Sequence, residues 1–100
     1  MTSSLNRPAL TLEESIRQLY NRVERQTIGA ASSETHVIAS DRRIVVVARG
    51  LPVVRNADYE QALRTEFAAE LGCRIESLRT RVSLSDDEKM EIFEIGRPLH

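Results

Sequence analysis

The stretch that decides the fold runs from Thr35 to Gly50 and reads THVIASDRRIVVVARG. Two runs rich in β-branched residues flank the polar Asp41, Arg42 and Arg43, and β-branched side chains favour the pleated surface of a strand. Ser40 and Asp41 supply turn chemistry between the two runs. The stretch therefore predicts a β-hairpin.

The second limb of this hairpin, Ile44 to Ala48, is apolar at every position. Successive side chains of a strand point to opposite faces of the sheet, so a limb without alternation presents apolar side chains to both faces. Helices of the same chain can cover one face. We expect Val45 and Val47 to lie on the other face, away from the helices yet shielded from water, which favours a partner molecule there.

Upstream of the hairpin, the sequence predicts an amphipathic helix. Residues Thr11 to Glu14 read TLEE, a capping box in which the Thr11 hydroxyl accepts from the Glu14 amide and the Glu14 carboxylate reaches back to the Thr11 amide. Apolar residues follow at spacings of three and four, the pattern of a helix with one buried side. They are Leu12, Ile16, Leu19, Tyr20 and Val23. The opposite, solvent side is predicted to carry Glu13, Arg17, Arg22, Glu24 and Arg25. Gly29 is expected to end the helix in a left-handed conformation.

A second helix is predicted after Pro52, which ends the hairpin because proline cannot donate to a sheet. Asn56 or Asp58 can act as its N-cap, and Gly72 is expected to follow its last turn. Its apolar stripe is Tyr59, Ala62, Leu63, Phe67 and Leu71.

Two strands are predicted after this helix. From Ile75 to Leu84 apolar and polar residues alternate, which places Arg79 and Arg81 side by side on one face of a half-exposed strand. A turn from Ser85 to Glu88 leads to a last strand of mixed facing, Lys89 to Ile95.

The resulting order, αββαββ, predicts a single α+β domain over residues 11–96. We expect a four-stranded, mainly antiparallel sheet with two helices packed on one face, because this arrangement buries both apolar stripes together. Residues 1–10 are predicted to form a flexible arm and residues 97–100 a tail.

Composition limits the function. A chain of 100 residues, 41% hydrophobic and 29% charged, fits one globular domain. Its formal net charge of -1 supplies no global field that would draw it to nucleic acid or an anionic membrane. No apolar run is long enough to span a bilayer, and a single cysteine excludes an internal disulfide. We therefore predict a cytoplasmic protein that does not span a membrane.

The titratable residues form no catalytic, cofactor or metal motif. A nucleophilic pair of Cys73 and His36 lacks an orienting third group, and Cys73 follows a helix C-terminus, where the dipole disfavours a thiolate. The run Asp86, Asp87 and Glu88 fits a solvated turn better than a calcium loop, and one Cys with two His cannot close a zinc shell. The sequence predicts no enzyme, no cofactor and no metal.

The arginines allow two kinds of partner. A sheet face bearing Arg79 and Arg81, with Arg42 and Arg43 at the hairpin tip, could make a small RNA-binding module, but the usual stacked aromatics and G-x-x-G clamp are missing. We predict instead an assembly or regulatory domain that acts through protein–protein contacts as a homodimer. Its predicted interface contains Val45, Val47, Arg49, Arg79 and Arg81.

From Thr11 to about Ile95 the chain resembles the MpsC or YbcI-like family of small bacterial proteins. The resemblance rests on the hairpin ending in Gly50-Leu51 and on a closing pattern of strand and turn residues. That pattern consists of Leu71, Gly72, Ile75, Ser85, Asp86 and Phe93. The chain departs from the family at Ala30-Ala31-Ser32, where a G-x-G-P type turn is usual, and in a shortened link from Leu51 to Ala57. The resemblance implies an accessory role beside a membrane system for cations or inorganic carbon, and carries over no catalytic residue.

Overall fold

The computed structural model describes residues 11–51, 57–83, 85 and 87–96. They form α1 (Leu12–Thr27), β1 (Glu34–Ser40), β2 (Arg43–Arg49), α2 (Ala57–Leu71), β3 (Ile75–Ser83) and β4 (Glu88–Ile95). The strands make one antiparallel sheet in the order β1-β2-β4-β3. The predicted α+β domain, its αββαββ order and its four-stranded sheet are confirmed. The arm and tail predicted at residues 1–10 and 97–100 lie outside the described residues.

The hairpin forms as predicted, with Asp41 and Arg42 in the turn between β1 and β2. In β2 the side chains of Ile44, Val46 and Ala48 are buried in the core that the helices cover. Val45 and Val47 alternate with them and therefore lie on the opposite face of the sheet, where they are partly buried.

Helix α1 begins as the capping box predicts, since the Glu14 amide donates to the Thr11 hydroxyl at 3.1 Å. The Glu14 carboxylate pairs with Arg17 instead of reaching back to the Thr11 amide. The predicted apolar stripe is buried from Ile16 onward and partly buried at Leu12, and Gly29 follows the helix with a φ of 97°. One prediction is wrong: Glu24 is completely buried and does not lie on the solvent side. It stands one turn after Tyr20, on the buried stripe.

Helix α2 buries Tyr59, Leu63 and Phe67 against the same side of the sheet. It begins at Ala57, so Asp58 lies in the first turn of the helix and is not its N-cap. Asn56, the other predicted cap, falls outside the described residues. The Phe67 ring stacks on Phe93 of β4 with centroids 5.1 Å apart, which fixes the helix over the centre of the sheet.

Strand β4 alternates strictly between the two faces, and its apolar residues are divided between them, as the predicted mixed facing requires. Its buried positions are Lys89, Glu91, Phe93 and Ile95. The charged residues Lys89 and Glu91 point into the core because they lie on the same face of the strand as Phe93 and Ile95. No helix in the described part of the chain is long and apolar enough to cross a membrane.

Candidate functional site

The sheet surface turned away from both described helices is the main candidate site, and we call it the open face. Residues that pair across antiparallel strands share a face, so the strand register identifies its members. The middle of the open face is apolar and consists of Ile38, Val45, Val47, Met90 and Ile92. Ile38 is 66% exposed, and the other four are partly buried by their neighbours.

This apolar centre is unusual for an exposed sheet surface. An antiparallel sheet with one solvated face commonly carries polar residues on that face. Here Val45 lies between Ile38 and Ile92, and Val47 lies beside Met90, so the apolar side chains are contiguous across three strands. A contiguous apolar surface that keeps part of its solvent exposure is a candidate interaction site or an aggregation hazard.

An ion pair closes each end of the apolar centre. At one end Arg43 Nε lies 2.6 Å from Glu94 Oε2, and at the other Arg49 Nε lies 3.0 Å from Glu88 Oε2. In both cases the arginine belongs to β2 and the glutamate to β4. These side chains keep part of their solvent exposure, so each pair contributes at most about 1 kcal/mol to the stability of a lone subunit.

The β3 side of the open face carries the two predicted arginines. Arg79 lies opposite Ile92 and Arg81 lies opposite Met90. Arg79 Nη2 is also 3.9 Å from Glu94, so the arginines are interleaved with acidic side chains. Among the described residues of the open face none is Phe, Tyr or Trp, and His36 is the one ring available for stacking, which gives the RNA-binding alternative little support.

The structure thus brings the five predicted interface residues onto one surface. Val45, Val47, Arg49, Arg79 and Arg81 all belong to the open face. The structure separates the Cys73 and His36 considered as a catalytic pair. Cys73 is buried in the core on the helix side, whereas His36 lies on the open face near Glu34.

A second feature, which the sequence reasoning missed, is a buried polar cluster between the helices and the sheet. The Glu91 carboxylate of β4 accepts hydrogen bonds from the hydroxyls of Tyr20 in α1 and Tyr59 in α2, the latter at 2.7 Å. The two rings meet edge to face, with centroids 6.3 Å apart. One carboxylate therefore ties both helices to the same strand.

The other half of this cluster is an ion pair between Lys89 Nζ and Glu24 Oε2, 3.2 Å apart. The ammonium group also lies over both tyrosine rings, 5.5 Å and 5.6 Å from their centroids. The Glu24 carboxylate accepts three further hydrogen bonds, from Asn21 Nδ2 and from the amide and hydroxyl of Ser32. It thereby fixes the link between α1 and β1.

Burial determines the acid–base properties of this cluster. It raises the pKa of both tyrosines far above the ordinary value, and the nearby negative charge of Glu91 raises them further. Within the described residues, every buried side-chain nitrogen and oxygen has a hydrogen-bond partner. A closed, fully paired cluster of this kind is suited to specifying how the helices pack on the sheet.

A faint sequence signal for the cluster exists. Glu24 follows Tyr20 by one helical turn, and Lys89 and Glu91 have the same period-two phase as Phe93 and Ile95. The other phase of β4 contains Met90 and Ile92, so hydrophobicity alone cannot decide which phase faces the core.

Comparison with models of protein families, with curated proteins and with solved structures finds no match to this chain. The resemblance to the MpsC or YbcI-like family stays a prediction. Among the described residues no group of His, Cys, Asp and Glu is arranged to hold a metal ion.

Proposed function

We propose that this protein is a non-enzymatic cytoplasmic assembly or regulatory domain that acts through protein–protein contacts and forms a homodimer across its open face. The observation that carries the proposal is the apolar centre of that face. Both described helices pack on the other side of the sheet, and no described helix covers Val45 and Val47, so a second molecule would complete their shielding from water.

Burial of this surface supplies a driving force for association. Each fully buried Val, Ile or Met side chain contributes roughly 1.5–3 kcal/mol relative to full exposure, and Ile38 is 66% exposed in the subunit alone. The four partly buried side chains of the centre contribute less each. Association must also offset the lost freedom of two molecules, so only a part of this energy appears as affinity.

The size of the face limits the expected strength of the dimer. Four strands ~4.8 Å apart and seven residues at ~3.3 Å each give a surface of roughly 19 by 23 Å. This is a small interface compared with the ~800 Å² per partner of standard complexes. We expect a dissociation constant in the micromolar range, about 1–100 μM.

The test compares two matched substitutions on edge strands. Ile38→Asp introduces a charge at the most exposed position of the apolar centre. Val82→Asp introduces the same charge at an exposed valine, 48% accessible, on the opposite face of the sheet. We expect sedimentation at concentrations up to several hundred micromolar to show a wild-type dimer, a monomeric Ile38→Asp variant and a dimeric Val82→Asp variant.

Because both side chains are largely exposed, neither substitution should unfold the subunit, and circular dichroism checks this. Val47→Asp, at the middle of the open face, serves as a second variant and should also be monomeric. A wild-type protein that stays monomeric throughout this concentration range would contradict the proposal. A dimer that persists in both Ile38→Asp and Val47→Asp would show that the interface lies on another surface.

The family resemblance extends this proposal to a membrane transport complex for cations or inorganic carbon as the larger assembly. The corresponding experiment is affinity capture of the wild type and of Ile38→Asp from cytoplasm and solubilised membranes. We expect a transport component that accompanies the wild type. Its absence from both fractions would count against the accessory role and would leave the dimer unaffected.

A further inference from the structure

We propose that the open face selects a second copy of this chain through its two terminal ion pairs, which make the face electrostatically complementary to itself; this rests on the assembly function proposed above. The Arg43–Glu94 pair and the Arg49–Glu88 pair each occupy one end of the apolar centre. We call these two pairs the charge rows.

Each charge row is neutral, and the two rows have the same composition. Arg43 and Arg49 lie at the two ends of β2, and their register partners Glu94 and Glu88 lie on β4. Sheets that pack face to face keep their strand directions within about 30° of each other. Consider a second copy whose apolar centre lies directly over the apolar centre of the first. One charge row of the second copy then lies over each charge row of the first, whether the strands of the two copies run in the same or in opposite directions.

Each end of such a dimer then contains two arginines and two glutamates. The group is neutral, and its opposite charges can interdigitate across the interface as well as within each subunit. A partner with a strongly charged surface would leave part of both rows uncompensated. An RNA strand in particular would place phosphates beside Glu88 and Glu94, because the acidic side chains lie among the arginines.

The rows act on the choice of partner more than on affinity. Exposed ion pairs add little net binding energy, whereas like charges brought together at an interface suppress the wrong pairing. Reversing the charge of both arginines, or of both glutamates, should therefore weaken self-association, and mixing the two kinds of variant should restore association.

The experiment uses an acidic variant, Arg43→Glu with Arg49→Glu, and a basic variant, Glu88→Arg with Glu94→Arg. Every end of either homodimer would hold four like charges. We expect each variant alone to self-associate at least tenfold more weakly than the wild type. We expect an equimolar mixture to form heterodimers with a dissociation constant within about threefold of the wild-type value, as measured by sedimentation with one chain labelled.

Arg22→Glu is the matched control. Arg22 is a half-exposed α1 arginine that pairs with Glu66 of α2, on the helix side of the molecule. Its reversal should leave self-association unchanged. Circular dichroism establishes that each variant is folded.

If a doubly reversed variant does not fold, glutamine versions replace it: Arg43→Gln with Arg49→Gln, and Glu88→Gln with Glu94→Gln. The mixture of these two variants should also form heterodimers in preference to homodimers, with a smaller difference between the two dissociation constants. A dimeric wild type whose reversed variants self-associate as tightly as before would overturn the role of the charge rows and leave the dimer standing. A monomeric wild type would instead overturn the proposed function itself.

Discussion

At the scale of single residues, the buried pair Lys89–Glu24 is the least expected element of the core. Two charged side chains, 4% and 0% exposed, lie where a small domain would ordinarily place apolar groups. The pair is tolerated because each charge has a close partner and Glu24 has three additional hydrogen-bond donors. A buried charge of this kind is costly when its partner is removed.

The first prediction concerns this pair. Lys89→Met keeps the length and packing of the side chain but leaves Glu24 without its cation. We expect the free energy of unfolding to fall by about 3 kcal/mol, at the lower end of the range for broken buried pairs because the other donors to Glu24 remain. Urea unfolding at low protein concentration measures this.

The control for Lys89→Met is Arg25→Met, which removes a basic side chain from an exposed position at the end of α1. Its effect should stay within about 0.5 kcal/mol. If both substitutions had the same small effect, the buried ion pair would not contribute to stability.

At the scale of elements, Glu91 joins three of them through two tyrosines. Tyr20 belongs to α1, Tyr59 to α2 and Glu91 to β4. Ionising either hydroxyl in the folded protein would bury a second negative charge beside the carboxylate and remove a hydrogen-bond donor. The helix layer and the sheet should therefore separate when the tyrosines ionise.

The second prediction follows from the raised pKa of both tyrosines. In the unfolded chain a tyrosine loses its proton near pH 10, whereas burial keeps both hydroxyls protonated in the folded state. Above that pH the folded state binds more protons than the unfolded state, so stability is fully present below pH 10 and falls as pH rises. The fall should approach about 2.7 kcal/mol per pH unit from the two tyrosines together.

Tyrosinate absorbance and circular dichroism test this prediction, since the chain contains only two tyrosines. We expect both signals to change together in one alkaline transition. Tyr20→Phe or Tyr59→Phe should each reduce the pH dependence of stability by about half, because each removes one of the two buried hydroxyls. Tyrosinate that forms near pH 10 in a protein with native circular dichroism would contradict the burial of the hydroxyls.

The elements differ in how far the sequence determines them. The hairpin was predictable because its β-branched runs and its turn are local, and α1 because a capping residue precedes its apolar stripe. The facing of β4 was not predictable from its own residues, since Met90 and Ile92 are as apolar as Phe93 and Ile95. Pairing with β2 decides it, because Phe93 must share a face with buried Ile44.

At the scale of the whole molecule, the two faces of the sheet play different roles. The helix side holds the core and the buried polar cluster, and the open face holds the predicted interface. Successive side chains of a strand point to opposite faces, so the apolar run from Ile44 to Ala48 predicted that part of it leaves the helix side, but its residues alone do not distinguish Val45 and Val47 from Ile44 and Val46. The charge rows could not be predicted in the same way, because each row joins residues about 40 or 50 positions apart in sequence, brought together only by the β2–β4 register.

The third prediction links this interface to the stability of the protein. If the folded subunit dimerises across the open face and the unfolded chain does not, mass action stabilises the folded state as concentration rises. A hundredfold increase above the dissociation constant is worth about 2.7 kcal/mol per dimer, or about half of that per subunit. For a domain of this size we expect the melting temperature to rise by roughly 5 °C or more.

Calorimetry from about 10 μM to about 1 mM, a hundredfold range that reaches well above the expected dissociation constant, measures this rise. Ile38→Asp should abolish the concentration dependence because it removes the dimer, whereas Val82→Asp should keep it because Val82 lies on the other face. Equal melting temperatures of the wild type across the whole range would mean that folding is not coupled to association. The apolar centre of the open face would then be tolerated in water by a lone subunit, and the reason for expecting a second copy would be gone.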